Sequence, residues 1–181
     1  MRKFLVAIAM TLALASKAKA DCERQPIYCQ IKDNNPNISD TKAHLIAKYV
    51  IKSSKKYGIP ANIYTAILMQ ESSYRLNALN KKCGLQDKNP LNYGQKTCVV
   101  QDVGISQINV KTAEAYKLDA ARLTTDLEYS IDSGAMVLSW FHKRYSKTEK
   151  NWWIRYNVGT RAKETMPTAW EAYKSKVKRW L

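Results

Sequence analysis

Over most of its length the chain repeats apolar residues three and four positions apart, between stops made of glycine and proline. That period admits little but packed helices. Leu127, Ile131, Ala135, Leu138 and Tyr145 share one face of a long helix that Thr125 or Asp126 can cap. Leu45, Ile46, Tyr49, Val50 and Tyr57 form another stripe, opened by Ser39 or Asp40 and closed by Gly58 and Pro60. A second helix starts near Pro60, with Ile63, Ile67 and Tyr74 on one line and Tyr64, Leu68 and Glu71 on the next. Shorter helical patterns run from near Asn109 to about Tyr116 and through "NWWIRYNVG", which Gly159 stops. Pro167 opens the last helix, carrying Trp170, Tyr173, Val177 and Trp180. Gly134 inside the long helix points to close packing. No repeat, low-complexity tract or Gly/Ser linker divides the chain. The expected fold class is therefore mainly α, a single compact domain over residues 41–181.

Two segments escape the period. Residues 21–40, with Pro26, Pro36 and "DNNPN", read as an irregular N-terminal arm. From Arg75 to Asp102 runs a long loop containing Gly84, Pro90 and Gly94, with room for a short hairpin. Loops of that length are uncommon in compact domains unless functional or tied down. Cysteine placement supplies ties for both. The four cysteines are Cys22, Cys29, Cys83 and Cys98, and of their three pairings Cys22–Cys29 with Cys83–Cys98 closes the shortest loops. Zinc is the rival use, but there is no C-x-x-C, and His44 and His142 lack ligand spacing to the cysteines. No metal and no cofactor is expected.

The first twenty residues stand apart. "MRKFLVAIAMTLALASKAKA" has two basic residues, an apolar stretch from Phe4 to Ala15 and Ala18-Lys19-Ala20. This is the form of a secretory signal peptide cleaved after Ala20. Its apolar run falls short of the roughly 20 residues a membrane-spanning helix needs. Export to the periplasm, or release outside the cell, is the expectation, with no stable membrane span once the signal is gone. Cleavage removes four of the 30 basic residues and leaves 26 against 15 acidic ones, a net charge of +11. Such a charge favours an anionic partner such as a cell-wall polymer. Nucleic acid is disfavoured, because the positive residues are scattered rather than clustered with aromatics.

Three short segments carry the chemistry. "AILMQESSYRLNAL", residues 66–79, ends an apolar helix on Glu71. Apolar neighbours such as Ile67 and Leu68, together with the negative end of the helix dipole, disfavour its charged form and raise its pKa. A carboxyl kept protonated near neutral pH suits general acid catalysis on a glycosidic oxygen. "DVGISQIN", residues 102–109, offers Gly104 for close backbone approach and Gln107 for hydrogen bonds to sugar hydroxyl or N-acetyl groups. "WWIRYNVG", residues 152–159, offers Tyr156 to donate to Glu71 and Asn157 to grip a sugar.

Taken in this order, the segments resemble the lytic transglycosylases with the goose-type lysozyme fold. The pattern of that family is Glu-Ser at a helix end, then Gly-x-x-Gln, then Tyr-Asn-x-Gly. Here it reads Glu71-Ser72, Gly104-Ile105-Ser106-Gln107 and Tyr156-Asn157-Val158-Gly159, with further echoes in Gly134-Ala135, Tyr173 and Val177. Family members commonly carry Met where Ser106 stands, and Ala where Arg155 and Val158 stand. The resemblance spans roughly residues 42–180 and implies cleavage of the β-1,4 bond between N-acetylmuramic acid and N-acetylglucosamine in peptidoglycan glycan strands. Glu71 is the implied catalytic acid, positioned by Ser72 and Tyr156, while Ile105, Ser106, Gln107 and Asn157 support or line the glycan groove. Small size resembles the specialised members that serve type IV secretion, conjugation or pilus assembly. Two alternatives stay open: a hydrolytic muramidase, for which Asp102, Glu128 and Asp132 are the candidate second carboxylates, and a non-catalytic wall-binding assembly factor.

Overall fold

The computed structural model describes residues 22–85, 96–160 and 163–181. The leader at 1–20, and Pro90 and Gly94 of the 75–102 segment, lie outside the described residues. Helix α1 (Pro26–Asn34) is followed by α2 (Asp40–Tyr57) and α3 (Ala61–Ser72). Strands β1 (Leu79–Leu85), β2 (Lys96–Val103) and β3 (Ile108–Asn109) come next, then α4 (Val110–Ala115), α5 (Ala120–Thr125) and α6 (Leu127–Tyr145). A single tight turn, Trp152–Ile154, leads into α7 (Arg155–Val158), and α8 (Pro167–Lys178) ends the fold. The architecture is mainly helical with one small sheet.

Helix α3 is the centre. Tyr64, Thr65, Ala66, Ile67 and Leu68 are successive residues and all fully buried. A helix hidden on every side cannot show a strong apolar stripe, because it has no solvent face to contrast with. Helices α1, α2 and α8 pack around it. Outside them α6 lies along α2, pinned by Lys52–Glu128 at 2.6 Å and Lys56–Asp132 at 2.7 Å. Asp132 also accepts from Ser53 at 3.1 Å and Tyr57 at 2.9 Å. These exposed pairs contribute little stability singly and act mainly to fix register.

Local signals explain most boundaries. Ser39 caps α2 by accepting from the Lys42 amide, and the helix ends at Gly58. Asp126 accepts from the Tyr129 amide at 3.0 Å and so is the cap of α6. Pro167 stands at the first position of α8. The short α5 is an element the apolar period does not announce. It is six residues long and held by its cap, Asp119, with only Leu123 buried.

The N-terminal arm is a correction. Pro26–Asn34 is a helix rather than irregular chain, with Ile27 and Ile31 one turn apart and buried in the main core. Two apolar residues make too short a stripe to read through "DNNPN". Its disulfide, Cys22–Cys29, is formed, and Gln30 and Asn34 donate to the Trp180 carbonyl at 2.8 and 3.0 Å, joining both ends of the described chain. The 75–102 segment contains the hairpin for which the sequence leaves room. Strands β1 and β2 pair antiparallel with Cys83 opposite Cys98, and these two are bonded. Strand β3 pairs on the other edge of β2, giving the order β1-β2-β3. Among the described residues, no helix is long and apolar enough to cross a membrane.

Two glycines permit close approach at the turn joining β2 to β3. Gly104 has φ +80°, and a Cβ there would run into the Leu123 carbonyl. A Cβ on Gly134 of α6 would overlap Ser106 and lie 2.5 Å from the Tyr64 hydroxyl. Gly134→Ala therefore forces apart the turn, α3 and α6. Overpacking of this kind costs about 1–3 kcal/mol. A thermal melt of the purified variant is expected to fall by roughly 2–10 °C; an unchanged melting temperature would contradict the packing described.

Candidate active site

Glu71 is the penultimate residue of α3, and the chain turns sharply straight after it. Ser73 and Tyr74 both have positive φ, 53° and 62°. Such backbone costs of order 1 kcal/mol or more for non-glycine residues and persists only where surroundings fix it. Here Tyr74 is fully buried, with its hydroxyl donating to the Thr65 carbonyl at 3.3 Å. Ser72 is buried too. Its hydroxyl reaches the Leu68 carbonyl at 3.1 Å and the Ile105 carbonyl at 2.7 Å. The end of α3 is thus stitched to the β2–β3 turn, and Glu71 is held at the floor of a cleft.

That cleft has a volume of about 610 Å³. The sheet contributes Asp102 and Asn109, the β2–β3 turn contributes Gln107, and the α4 segment contributes Thr112 and Tyr116. Helix α6 adds Val137, Trp140 and Phe141, and the α7 segment adds Tyr156 and Asn157. Met166 and Ala169 line it at the start of α8.

The Glu71 carboxyl accepts a hydrogen bond from the Tyr173 hydroxyl at 2.5 Å. Burial pushes its pKa up, the Tyr173 bond pulls it down, the Asp102 charge raises it and Lys176 lowers it, with a net value of about 7. Burial dominates, so the acid holds its proton to neutral pH. The same burial raises the Tyr173 and Tyr156 phenols well above their usual range, and both remain hydrogen-bond donors.

Tyr173 holds the place that the sequence motif assigns to Tyr156. The Tyr156 hydroxyl donates instead to the Ser106 carbonyl at 2.7 Å, so it braces the turn rather than the acid. Tyr173 sits in the core stripe of α8, 102 residues from Glu71. The sequence marks Tyr173 as an echo of the family pattern without pairing it to Glu71, and a buried phenol needs an acceptor. Ile105 does not line the groove, because it is fully buried in the main core. Ser106 is also fully buried, with its hydroxyl bonded to the Tyr64 hydroxyl at 3.0 Å and reaching the Ser130 carbonyl at 3.3 Å. Tyr64 thus fills the space beside this small residue.

Gln107 and Asn157 do line the cleft. Gln107 has φ +47°, and its side-chain amide donates to the Ala78 and Gly104 carbonyls at 3.0 and 2.8 Å, leaving its carbonyl oxygen as the acceptor for a ligand. Arg155 points inward. It meets both carboxylate oxygens of Glu149, at 3.0 and 2.6 Å, and its guanidinium lies over the Tyr145 and Trp170 rings.

Of the three candidate second carboxylates, Glu128 and Asp132 are taken up by α2 lysines. Asp102 alone shares the cleft with Glu71. Its two oxygens accept from Asn80 at 2.7 Å and Asn109 at 3.0 Å. Asn109, Thr112, Tyr116 and Trp140 are cleft residues that no motif singles out.

Among known protein families, the chain matches the Transglycosylase SLT domain over residues 48–179. No curated protein matches it, and no solved structure does.

A raised pKa at Glu71 has a consequence for stability. Below its ordinary value of 4.5 the group is protonated folded and unfolded alike; above that, only the unfolded chain gives up its proton, until the folded group titrates at about 7. Stability therefore falls between these two pH values. Glutamine does not titrate, so Glu71→Gln should gain on wild type over the same interval. The gain is about 1–3 kcal/mol, discounted for partial exposure. Calorimetry at pH 4 and pH 8 should show the variant's relative melting temperature rising by several degrees; a constant difference would mean that Glu71 titrates normally.

Proposed function

The chain belongs to the transglycosylase SLT domain family, and from that premise we propose that it cleaves peptidoglycan glycan strands without consuming water. Family membership supports lytic transglycosylase activity, a lysozyme-like fold and peptidoglycan as substrate. The finer reading is ours. One observation carries it: a buried carboxyl with a pKa of about 7, held by Tyr173 in the lining of a cleft of about 610 Å³.

In this reading Glu71 gives its proton to the oxygen linking N-acetylmuramic acid to N-acetylglucosamine, and the C1–O bond breaks. The Glu71 carboxylate then takes the proton of the muramyl 6-hydroxyl, whose oxygen bonds to C1. The products are a free 4-hydroxyl and a 1,6-anhydro-muramyl end, and the acid is restored. An intramolecular hydroxyl held beside C1 has an effective concentration that water does not match. Tyr173 supports both halves, because its bond to the carboxyl limits how far burial raises the pKa. The turn at 104–107 is braced by Ser72 and Tyr156 and presents Gln107 to the sugar.

Asp102 favours a second reading, hydrolysis by a paired carboxylate, which glycosidases of either stereochemistry use. Its oxygens are occupied by two asparagine amides, which suits a structural acceptor better than a mobile base. Digestion of purified peptidoglycan in ¹⁸O-labelled water separates the two. Muropeptides ending in unlabelled 1,6-anhydro-muramic acid are expected, and Glu71→Gln should lower their release by at least about 10²-fold. Labelled reducing ends as the main product would establish the hydrolase.

We further propose that the protein is exported to the periplasm and opens the wall locally for a secretion, conjugation or pilus machine. The charged and apolar leader and the cysteine pairs support export. Full-length protein expressed in a Gram-negative host should appear in the periplasmic fraction with Asp21 at its N-terminus, and deletion of the cognate machine's gene for this chain should lower substrate transfer. An uncleaved, cell-retained chain would contradict export.

A further inference from the structure

Seven large apolar side chains are exposed among the described residues, and five of them are aliphatic: Leu45, Ile51, Leu79, Val99 and Leu181. The two aromatic ones are Tyr116, 42 % exposed, and Trp140, 39 % exposed. Both line the cleft that holds Glu71. They reach it from different elements, Tyr116 from the C-terminal cap of α4 and Trp140 from the last turns of α6. None of the five aliphatic residues lines that cleft. Single exposed apolar residues are ordinary and need no purpose. Two exposed aromatic rings in one cleft, with no aliphatic residue exposed beside them, call for an occupant.

Trp140 is exposed and yet held. Phe141 meets it edge-on at 5.0 Å with the planes at 89°, and Tyr145 meets it at 6.4 Å and 71°. The Arg144 guanidinium lies over the indole, 5.5 Å from its centre. Cation–π and edge-to-face contacts of this kind fix a ring's orientation before any ligand arrives. Little ordering entropy is then lost on binding.

A β-linked pyranose of the glucosamine series carries its substituents at the ring edge and presents C–H groups on its faces. Its face is apolar and its rim polar, which matches a cleft that holds an exposed indole together with the polar side chains of Gln107, Asn109, Thr112 and Asn157. We propose that Trp140, with Tyr116, forms an aromatic subsite on which a sugar ring of the glycan strand stacks. This rests on the reading of the cleft as a glycan groove, and it adds the residues that grip the strand rather than cut it. Stacking of this kind stabilises ground state and transition state alike, so its loss raises KM and leaves kcat nearly unchanged.

The test uses a peptide-free octasaccharide of alternating N-acetylglucosamine and N-acetylmuramic acid. Calorimetric binding to Glu71→Gln protein is compared with binding to the same protein carrying Trp140→Ala, Trp140→Phe or Tyr116→Ala. Affinity is expected to fall by about tenfold for Trp140→Ala, by less for Tyr116→Ala, and by threefold or less for Trp140→Phe. With Glu71 present, Trp140→Ala should raise KM by a similar factor with kcat within about twofold of wild type. Tyr116→Ala, whose affinity is also required to fall, keeps the measurement decisive if Trp140→Ala fails to fold. Equal octasaccharide affinity and equal KM in folded Trp140 and Tyr116 variants would overturn the proposal, as would a fall in kcat with KM unchanged. Octasaccharide binding that depends on Trp140, in a wild-type protein that releases no anhydro ends, would sink the proposed reaction and leave this subsite standing.

Discussion

Withdrawal of the Glu71 carboxyl from water is the constraint on which the rest of the structure turns. A helix can carry an acid into low-dielectric surroundings only if other interactions offset the desolvation. Here α3 is wrapped by α1, α2 and α8, so its folding supplies apolar burial along nearly its whole length. The acid sits one residue from its end, where the cleft opens. One phenol, Tyr173, satisfies the carboxyl without fully compensating burial, and the balance leaves a pKa of about 7. Helix α8 is thereby more than a lid on the core, because its Tyr173 is the hydrogen-bond partner that limits how far burial raises the Glu71 pKa.

The turn at 104–107 is the second fixed point. It is gripped from three sides: by Ser72 through the Ile105 carbonyl, by Tyr156 through the Ser106 carbonyl, and by Tyr64 through the Ser106 hydroxyl. Gly134 lets α6 approach closely enough to close this cluster. Gly104, Ile105 and Ser106 therefore build the turn and Tyr156 braces it, while Gln107, Asn157, Val158 and Gly159 line the cleft. Buried polar contacts of this density rigidify a site because each is costly to leave unmade.

Much of this was legible in the sequence, and the exceptions have physical reasons. Long stripes, such as those of α2, α6 and α8, repeat often enough for the period to show. Helix α1 has only Ile27 and Ile31 to reveal it, and α5 has only Leu123. The hairpin lacks a clear alternation because Lys81, Lys82, Cys83, Cys98 and Val99 are all exposed, so neither face is consistently apolar there. Within the site, Glu71 was legible because its helix and its apolar neighbours are local. Tyr173 was not, since its bond to Glu71 spans 102 residues and depends on how α8 meets α3. Ile105 shows the converse: membership of a motif marks it as groove lining, whereas burial makes it, with Ser106, part of the groove's foundation.

In the proposed reading, packing keeps the Glu71 carboxyl protonated at neutral pH in a cleft that takes a glycan strand. The most direct measurement is a pH titration of the Glu71 side-chain carboxyl in the wild-type protein by ¹³C NMR, assigned against Glu71→Gln. A midpoint near 7, well above the other glutamates, is the result this account requires. A midpoint near 4.5, the ordinary value, would mean that the carboxylate is solvated or fully paired, and that the site as described does not hold an acid.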